Sequence, residues 1–121
     1  MKIKKMIIAI VILGVLFTAY KVYDANTPGK YDTLVQCITK SDAKMYGAFW
    51  CPHCNNQKQM LGKSAQYLPY IECSQPNRVQ TEICNKANIT SYPTWEFKSG
   101  ERIIGELTPE KLSQLSGCPL P

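Results

Sequence analysis

At 121 residues the chain has room for one small domain, and a hydrophobic share of 45% gives that domain material for a core. The formal charge of +5 raises the question of nucleic-acid binding, but Lys2, Lys4, Lys5 and Lys21 flank the first apolar run and the remainder is close to neutral. A protein that grips phosphate backbones carries a basic stripe; both signs are interspersed here, which argues against nucleic acid as a partner.

Met6 to Tyr20 is an unbroken, mostly apolar run. At about 1.5 Å per residue it is short for a hydrocarbon core of roughly 30 Å. Lys5 and Lys21 can snorkel, and Val22 and Tyr23 lengthen the run, so residues 1–23 read as a transmembrane signal-anchor. The competing reading is a cleaved signal peptide, whose apolar region has this length. Cleavage lacks a good small-residue site: Ala19 is preceded two positions earlier by Phe17, and Ala25 by Tyr23. Either reading exports the rest of the chain. Lys2, Lys4 and Lys5 precede the run and Lys21 follows it, so the N-terminus stays cytoplasmic. The expectation is a single-pass protein of the cell membrane with its domain outside. Six cysteines beyond an export signal suit an oxidising compartment, and an even number lets all of them pair.

Residues 24–30 form a polar linker closed by Pro28-Gly29, and residues 31–121 form the domain. Leu34, Val35 and Ile38 at helical spacing predict a helix over 31–39 that carries Cys37. Lys44 to Trp50 is compact, aromatic and apolar, which predicts a buried strand. A helix follows to about Ala65, then a strand over 70–73, a turn over 74–77 and a short helix over 79–87. Thr94 to Lys98 alternates and meets Ser99-Gly100, predicting a hairpin into 102–105. Thr108-Pro109-Glu110 supplies an N-cap, a proline at the first helical position and an acid in the first turn of a last helix that stops at Gly117. This order predicts an α/β fold, a mixed sheet covered by helices on both faces.

The chemistry gathers at Trp50-Cys51-Pro52-His53-Cys54. Two cysteines two residues apart, where a strand runs into a helix, can form and break a disulfide with little backbone movement. Cys51 at the helix N-terminus meets unpaired N–H groups and the positive end of the dipole, which favour a thiolate. His53 adds positive character when protonated, although a solvated histidine at a helix start has the same sequence signature. Pro52 fits the first turn, where its missing N–H costs nothing. Cys51 is the expected nucleophile and Cys54 the more buried resolving thiol. A zinc site would need a second Cys-x-x-Cys knuckle that the other cysteines do not supply, so no metal or other cofactor is expected. A purely structural Cys-x-x-Cys bridge would gain little from closing so short a loop.

From about Tyr31 to its end the chain resembles the thioredoxin-like domain fused to bacterial and plant homologues of vitamin K epoxide reductase. The matching stretches are YGAFWCPHC (46–54), YLPYIEC (67–73), the Cys84 segment, SYPTWEF (91–97) and LTPEKLSQLSG (107–117). CPHC is also the motif of the periplasmic disulfide donor DsbA. The resemblance implies a thioredoxin fold, exchange through Cys51 and Cys54, and a cis Pro93 whose neighbouring backbone docks the substrate. Trp50, Tyr92 and Thr94 flank these motifs and are expected at the docking surface, whereas Phe49 and Trp95 are expected in the core. It also implies electron transfer to a quinone-reducing membrane partner, here on a separate chain. In thioredoxin and DsbA an acid six residues before the first motif cysteine relays protons; Met45 stands at that position.

The related domains imply a second disulfide, Cys73–Cys84, either structural or relaying electrons, and closing that loop would contribute roughly 3 kcal/mol. Cys37 and Cys118 remain by elimination. Paired, they would tie the first helix of the domain to the last, at about 4.5 kcal/mol; the alternative is that Cys37 packs as a free buried thiol. The expected function is thiol–disulfide exchange that donates disulfides to exported, cysteine-containing clients, with reoxidation by a vitamin K epoxide reductase-like protein. A membrane-fed reductase or isomerase, and a non-enzymatic adaptor, are the alternatives.

Overall fold

A computed structural model describes residues 1–121. The first helix, α1 (Lys2–Asn26), buries none of its side chains against the rest of the chain and is long and apolar enough to cross a membrane. It outruns the expected boundary at residue 23. Asp24, Ala25 and Asn26 stay helical, and the Thr27 hydroxyl donates to the Tyr23 carbonyl at 2.7 Å beyond the end. The connection to the domain is therefore only Thr27 to Lys30. Lys63 reaches back to the end of α1, donating to the Asp24 carbonyl and carboxylate at 2.6 Å each.

The domain follows as α2 (Asp32–Lys40), β1 (Lys44–Gly47), α3 (Pro52–Leu61), β2 (Tyr70–Glu72), α4 (Glu82–Lys86), β3 (Thr94–Glu96), β4 (Arg102–Ile104) and α5 (Pro109–Ser116). The strands form one mixed sheet in the order β2-β1-β3-β4, with β1 parallel to β2 and antiparallel to β3. With helices packed on both faces, this is a thioredoxin fold. Alternation along β1 separates two cores. Met45 points into the larger one with Leu34, Val35, Ile38, Leu61, Trp95 and Leu112, and Tyr46 points into a smaller one with Cys73, Cys84 and Ile89.

Three segments depart from the sequence reading. The strand ends at Gly47 rather than Trp50, because the Cys51 N–H donates to the Ala48 carbonyl at 3.0 Å and turns the chain toward α3. That turn carries Phe49 outward, so Phe49 is 49% exposed and not in the core. The next helix stops at Leu61, where Gly62 takes φ +55°, and a 3-10 segment (Gly62–Tyr67) replaces its last turns. Residues 79–81 are extended instead of helical. Gln75 N–H donates to the Val79 carbonyl and Thr81 N–H to the Cys73 carbonyl, leaving only Glu82–Lys86 for α4.

Both ends of α5 follow the sequence. Thr108 Oγ1 accepts from Lys111 N–H at 3.2 Å, Pro109 opens the helix, and Gly117 closes it in the left-handed conformation.

One buried polar side chain sets the position of α3. Gln57 is fully buried; its amide donates to the Leu107 carbonyl at 2.9 Å and accepts the Leu107 N–H at 2.7 Å. It thereby satisfies the strip of backbone between β4 and α5 much as a second strand would. Replacing Gln57 with Leu strands both Leu107 groups without partners. The expected loss is about 2 to 4 kcal/mol of unfolding free energy, read from urea denaturation of the full chain in detergent.

Candidate active site

Cys51 is the N-cap of α3, in extended conformation, and its carbonyl accepts the Asn55 N–H at 3.1 Å. Pro52 is the first helical residue. Cys51 keeps 5% of its surface exposed and Cys54 none, and neither is in a disulfide. The Cys51 thiol donates to the Tyr92 carbonyl at 3.6 Å, 41 residues along the chain. That carbonyl belongs to the cis Tyr92–Pro93 peptide. Pro93 and Thr94 are buried, and the Thr94 hydroxyl donates to the Ser91 carbonyl at 2.7 Å, holding the turn that presents Tyr92.

The aromatic rim is braced from the smaller core. Trp50 Nε1 donates to Ser74 Oγ at 2.7 Å, and its ring meets Tyr92 edge-on at 6.0 Å between centroids. The Tyr92 hydroxyl donates to Gln80 Oε1. Arg78 lies 5.7 Å over the Trp50 ring. Trp50 remains 38% exposed beside Cys51, so the rim offers a face next to the reactive sulfur.

His53 is exposed, and its Nδ1 lies 2.7 Å from Glu106 Oε1; Asn56 Nδ2 donates to the same oxygen at 3.3 Å. The hydrogen bond from His53, then that from Asn56, holds the Glu106 carboxyl below the usual range. Nothing in the sequence pointed to Glu106, because the pairing depends on how the loop after β4 passes the start of α3.

Cys54 is the contrasting thiol. Burial pushes it up to about 12, against opposing help from the Ala48 N–H. Met45, at the position where related folds place an acid, is a fully buried core residue. Glu72 on β2 is instead the carboxylate bonded to Tyr70. It accepts from Phe49 N–H at 3.2 Å, Ser74 N–H at 2.9 Å and the Tyr70 hydroxyl at 2.9 Å.

The remaining cysteines are joined in two disulfides. Cys37 is bonded to Cys118, tying α2 to the segment just past α5, and Cys73 is bonded to Cys84, tying the residue after β2 to α4. No cluster of three or more His, Cys, Asp or Glu side chains gathers as a set of metal ligands.

No protein-family model matches the chain. Among curated proteins, the thiol-disulfide oxidoreductase LTO1 of Arabidopsis thaliana is 37% identical over 92 residues, covering 72% of this chain and 24% of that protein. The chain thus spans about a quarter of the length of the relative it matches.

The two thiols should differ in reactivity. Because burial raises the Cys54 pKa to about 12, that group stays a neutral thiol throughout the neutral range and ionises only as pH climbs toward that value. Iodoacetamide applied to the reduced full chain between about pH 7 and 9 should therefore label Cys51 first and leave Cys54 unmodified. Mass mapping of the modified cysteine checks this; preferential labelling of Cys54 would refute it.

Proposed function

We propose that this chain is a membrane-anchored thiol–disulfide oxidoreductase that donates disulfides to exported proteins through Cys51 and Cys54. The observation that carries the reading is the pairing of an unbonded Cys-x-x-Cys at a helix start with the Tyr92 carbonyl of a cis X-Pro turn. The partial identity to LTO1 supports the same chemistry.

In the donor direction, a client thiolate attacks Cys51 Sγ of the oxidised pair. The Cys51–Cys54 bond breaks, and Cys54 leaves with the electron pair and takes up a proton. A second client thiolate then attacks the client sulfur of the mixed disulfide and expels Cys51 with its electron pair. The client has lost two electrons and gained a disulfide, and the pair has gained both electrons. A quinone-linked membrane protein of the vitamin K epoxide reductase type, on a separate chain, would accept them. Trp50, Tyr92 and the backbone before Pro93 form the face on which the client segment rests while its sulfur is in line with Cys51.

Two features support an extracytoplasmic setting. A wholly exposed apolar α1 fits a membrane anchor, and the lysines at its start favour a cytoplasmic N-terminus. The two further disulfides fit an oxidising compartment. The same site run in reverse is a reductase, and direction follows from the potential of the pair.

Equilibrating the detergent-solubilised full chain in glutathione buffers, with alkylation and mass mapping, measures that potential. A disulfide donor is expected near about −120 mV, with Cys37–Cys118 and Cys73–Cys84 staying oxidised throughout. A value near about −270 mV would reverse the direction to a reductase. Cys51→Ser should abolish exchange; a protein that keeps its cellular role after this change is an adaptor instead.

A further inference from the structure

Cys54 presents a chemical problem that the exchange cycle has to solve. It is fully buried, and burial holds its thiol strongly toward the neutral form. Each turnover nevertheless requires it to lose a proton before it attacks and to regain one when it leaves. Water does not reach it directly, and Met45 offers no acceptor.

The titratable groups facing Cys54 are few. They are Cys51 just before α3, Lys58 on α3, Tyr70 on β2 and Tyr92 before β3, with Glu72 behind Tyr70. Lys58 is an ammonium and accepts no proton, although its charge favours the Cys54 thiolate. The Tyr92 hydroxyl is committed to Gln80. Tyr70 and Glu72 remain. Tyr70 donates to Glu72 Oε2 at 2.9 Å, and the other carboxylate oxygen is fixed by Phe49 N–H and Ser74 N–H.

Gly47 is what lets Tyr70 approach Cys54. A Cβ at Gly47 would lie 2.9 Å from Cys54 Sγ, 3.2 Å from the Tyr70 hydroxyl oxygen and 2.6 Å from the Tyr70 ring. Sulfur and hydroxyl therefore border the same point beside the Gly47 backbone, with no room for water between them, and a swing of the Tyr70 ring would bring the hydroxyl to the sulfur. Lys58 Nζ sits over the same ring, 3.7 Å from its centroid. Burial and the bond to Glu72 keep the Tyr70 phenol neutral, so its oxygen can accept from a thiol while its proton points at the carboxylate.

Building on the oxidoreductase reading, we propose that Glu72, acting through the Tyr70 hydroxyl, takes the proton from Cys54 when it attacks and returns it when it leaves. In the oxidising half-reaction with glutathione disulfide, Cys51 first attacks one sulfur and expels glutathione thiolate. The Cys54 proton then passes to Tyr70 as the Tyr70 proton passes to Glu72. Cys54 attacks Cys51 Sγ, the Cys51–glutathione bond breaks, and the second glutathione leaves as thiolate with the electron pair. Glu72, only partly buried, releases the proton to solvent. Acting through another group, Glu72 is a positioning residue for proton transfer and touches neither sulfur.

The test is stopped-flow oxidation of the reduced full chain in detergent by glutathione disulfide, followed by tryptophan fluorescence from pH 5 to 9. Cys54→Ser isolates the first step, and Glu72→Gln and Tyr70→Phe probe the second. Tyr70→Phe leaves the two backbone bonds of Glu72 intact, so it decides the matter if Glu72→Gln does not fold. The expected result is unchanged mixed-disulfide formation and a resolution step slowed by about 100-fold near neutral pH in both variants. Their resolution rates should also climb with hydroxide across the range, more steeply than those of the wild type. Wild-type rates and pH profiles in the folded variants, or slowing in only one of the two, overturn the route. If Cys54→Ser forms no mixed disulfide at all, the oxidoreductase reading fails first and takes this one with it.

Discussion

The burial of Cys54 beneath the start of α3 is the constraint around which the rest of the domain is arranged. A thiol in an apolar core resists ionisation because the charged form loses its hydration. Burial is also what keeps the pair from reacting with solvent thiols through both sulfurs at once. The fold resolves the conflict by asymmetry. Cys51, as N-cap, faces the rim and the Tyr92 carbonyl, while Cys54, one turn along, faces Ala48, Gly47 and Tyr70. Only glycine at position 47 leaves room for sulfur and phenol together, since any Cβ there would overlap the Tyr70 ring.

Stability near the site comes from groups that link it to neighbouring elements. Gln57 joins α3 to the strip before α5, and Glu72 joins the turn after β1 to the residue after Cys73. Trp50 joins that same turn to Ser74. The active-site turn is therefore fastened to the segment carrying Cys73, and α4 is fastened to that segment by the Cys73–Cys84 bond. Because a single small domain buries a limited core, such cross-links matter more here than additional apolar contacts would.

The parts of this arrangement that the sequence displays are the ones governed by local rules. The Cys-x-x-Cys pair, the proline at the helix start, the Tyr-Pro-Thr step and the Thr108-Pro109 to Gly117 helix each state their geometry within a few residues. Where tertiary contacts override local pattern, the reading slips. Val79 to Thr81 leads straight into the short helix in sequence, yet its backbone is captured by residues 73–75 across a turn. Phe49 belongs by composition to a strand, yet the turn that places Cys51 sweeps it outward. Gly62 is a stop signal inside the expected helix, and its left-handed φ ends α3 at Leu61. Glu72, Glu106 and Gln57 carry no motif. Glu106 and Gln57 find partners 53 and 50 residues away, and Glu72, besides its neighbours Tyr70 and Ser74, meets Phe49 23 residues away, all only in the folded chain.

The three cysteine pairs also differ in what closure gains, and this difference separates bracing from chemistry. In the chain-entropy view a cross-link stabilises the fold in proportion to the logarithm of the loop it closes. Cys37–Cys118 closes a sequence separation of 81 and Cys73–Cys84 one of 11, so both penalise the unfolded chain substantially. Closing Cys51 to Cys54 constrains almost nothing that the helix start has not already fixed. Breaking the long-range bonds would loosen the elements they join, whereas opening the short one leaves α3, β1 and the cis-proline turn where they are. In the proposed exchange cycle one disulfide would change state repeatedly while the long-range bonds hold the elements around it, a division that follows from loop length.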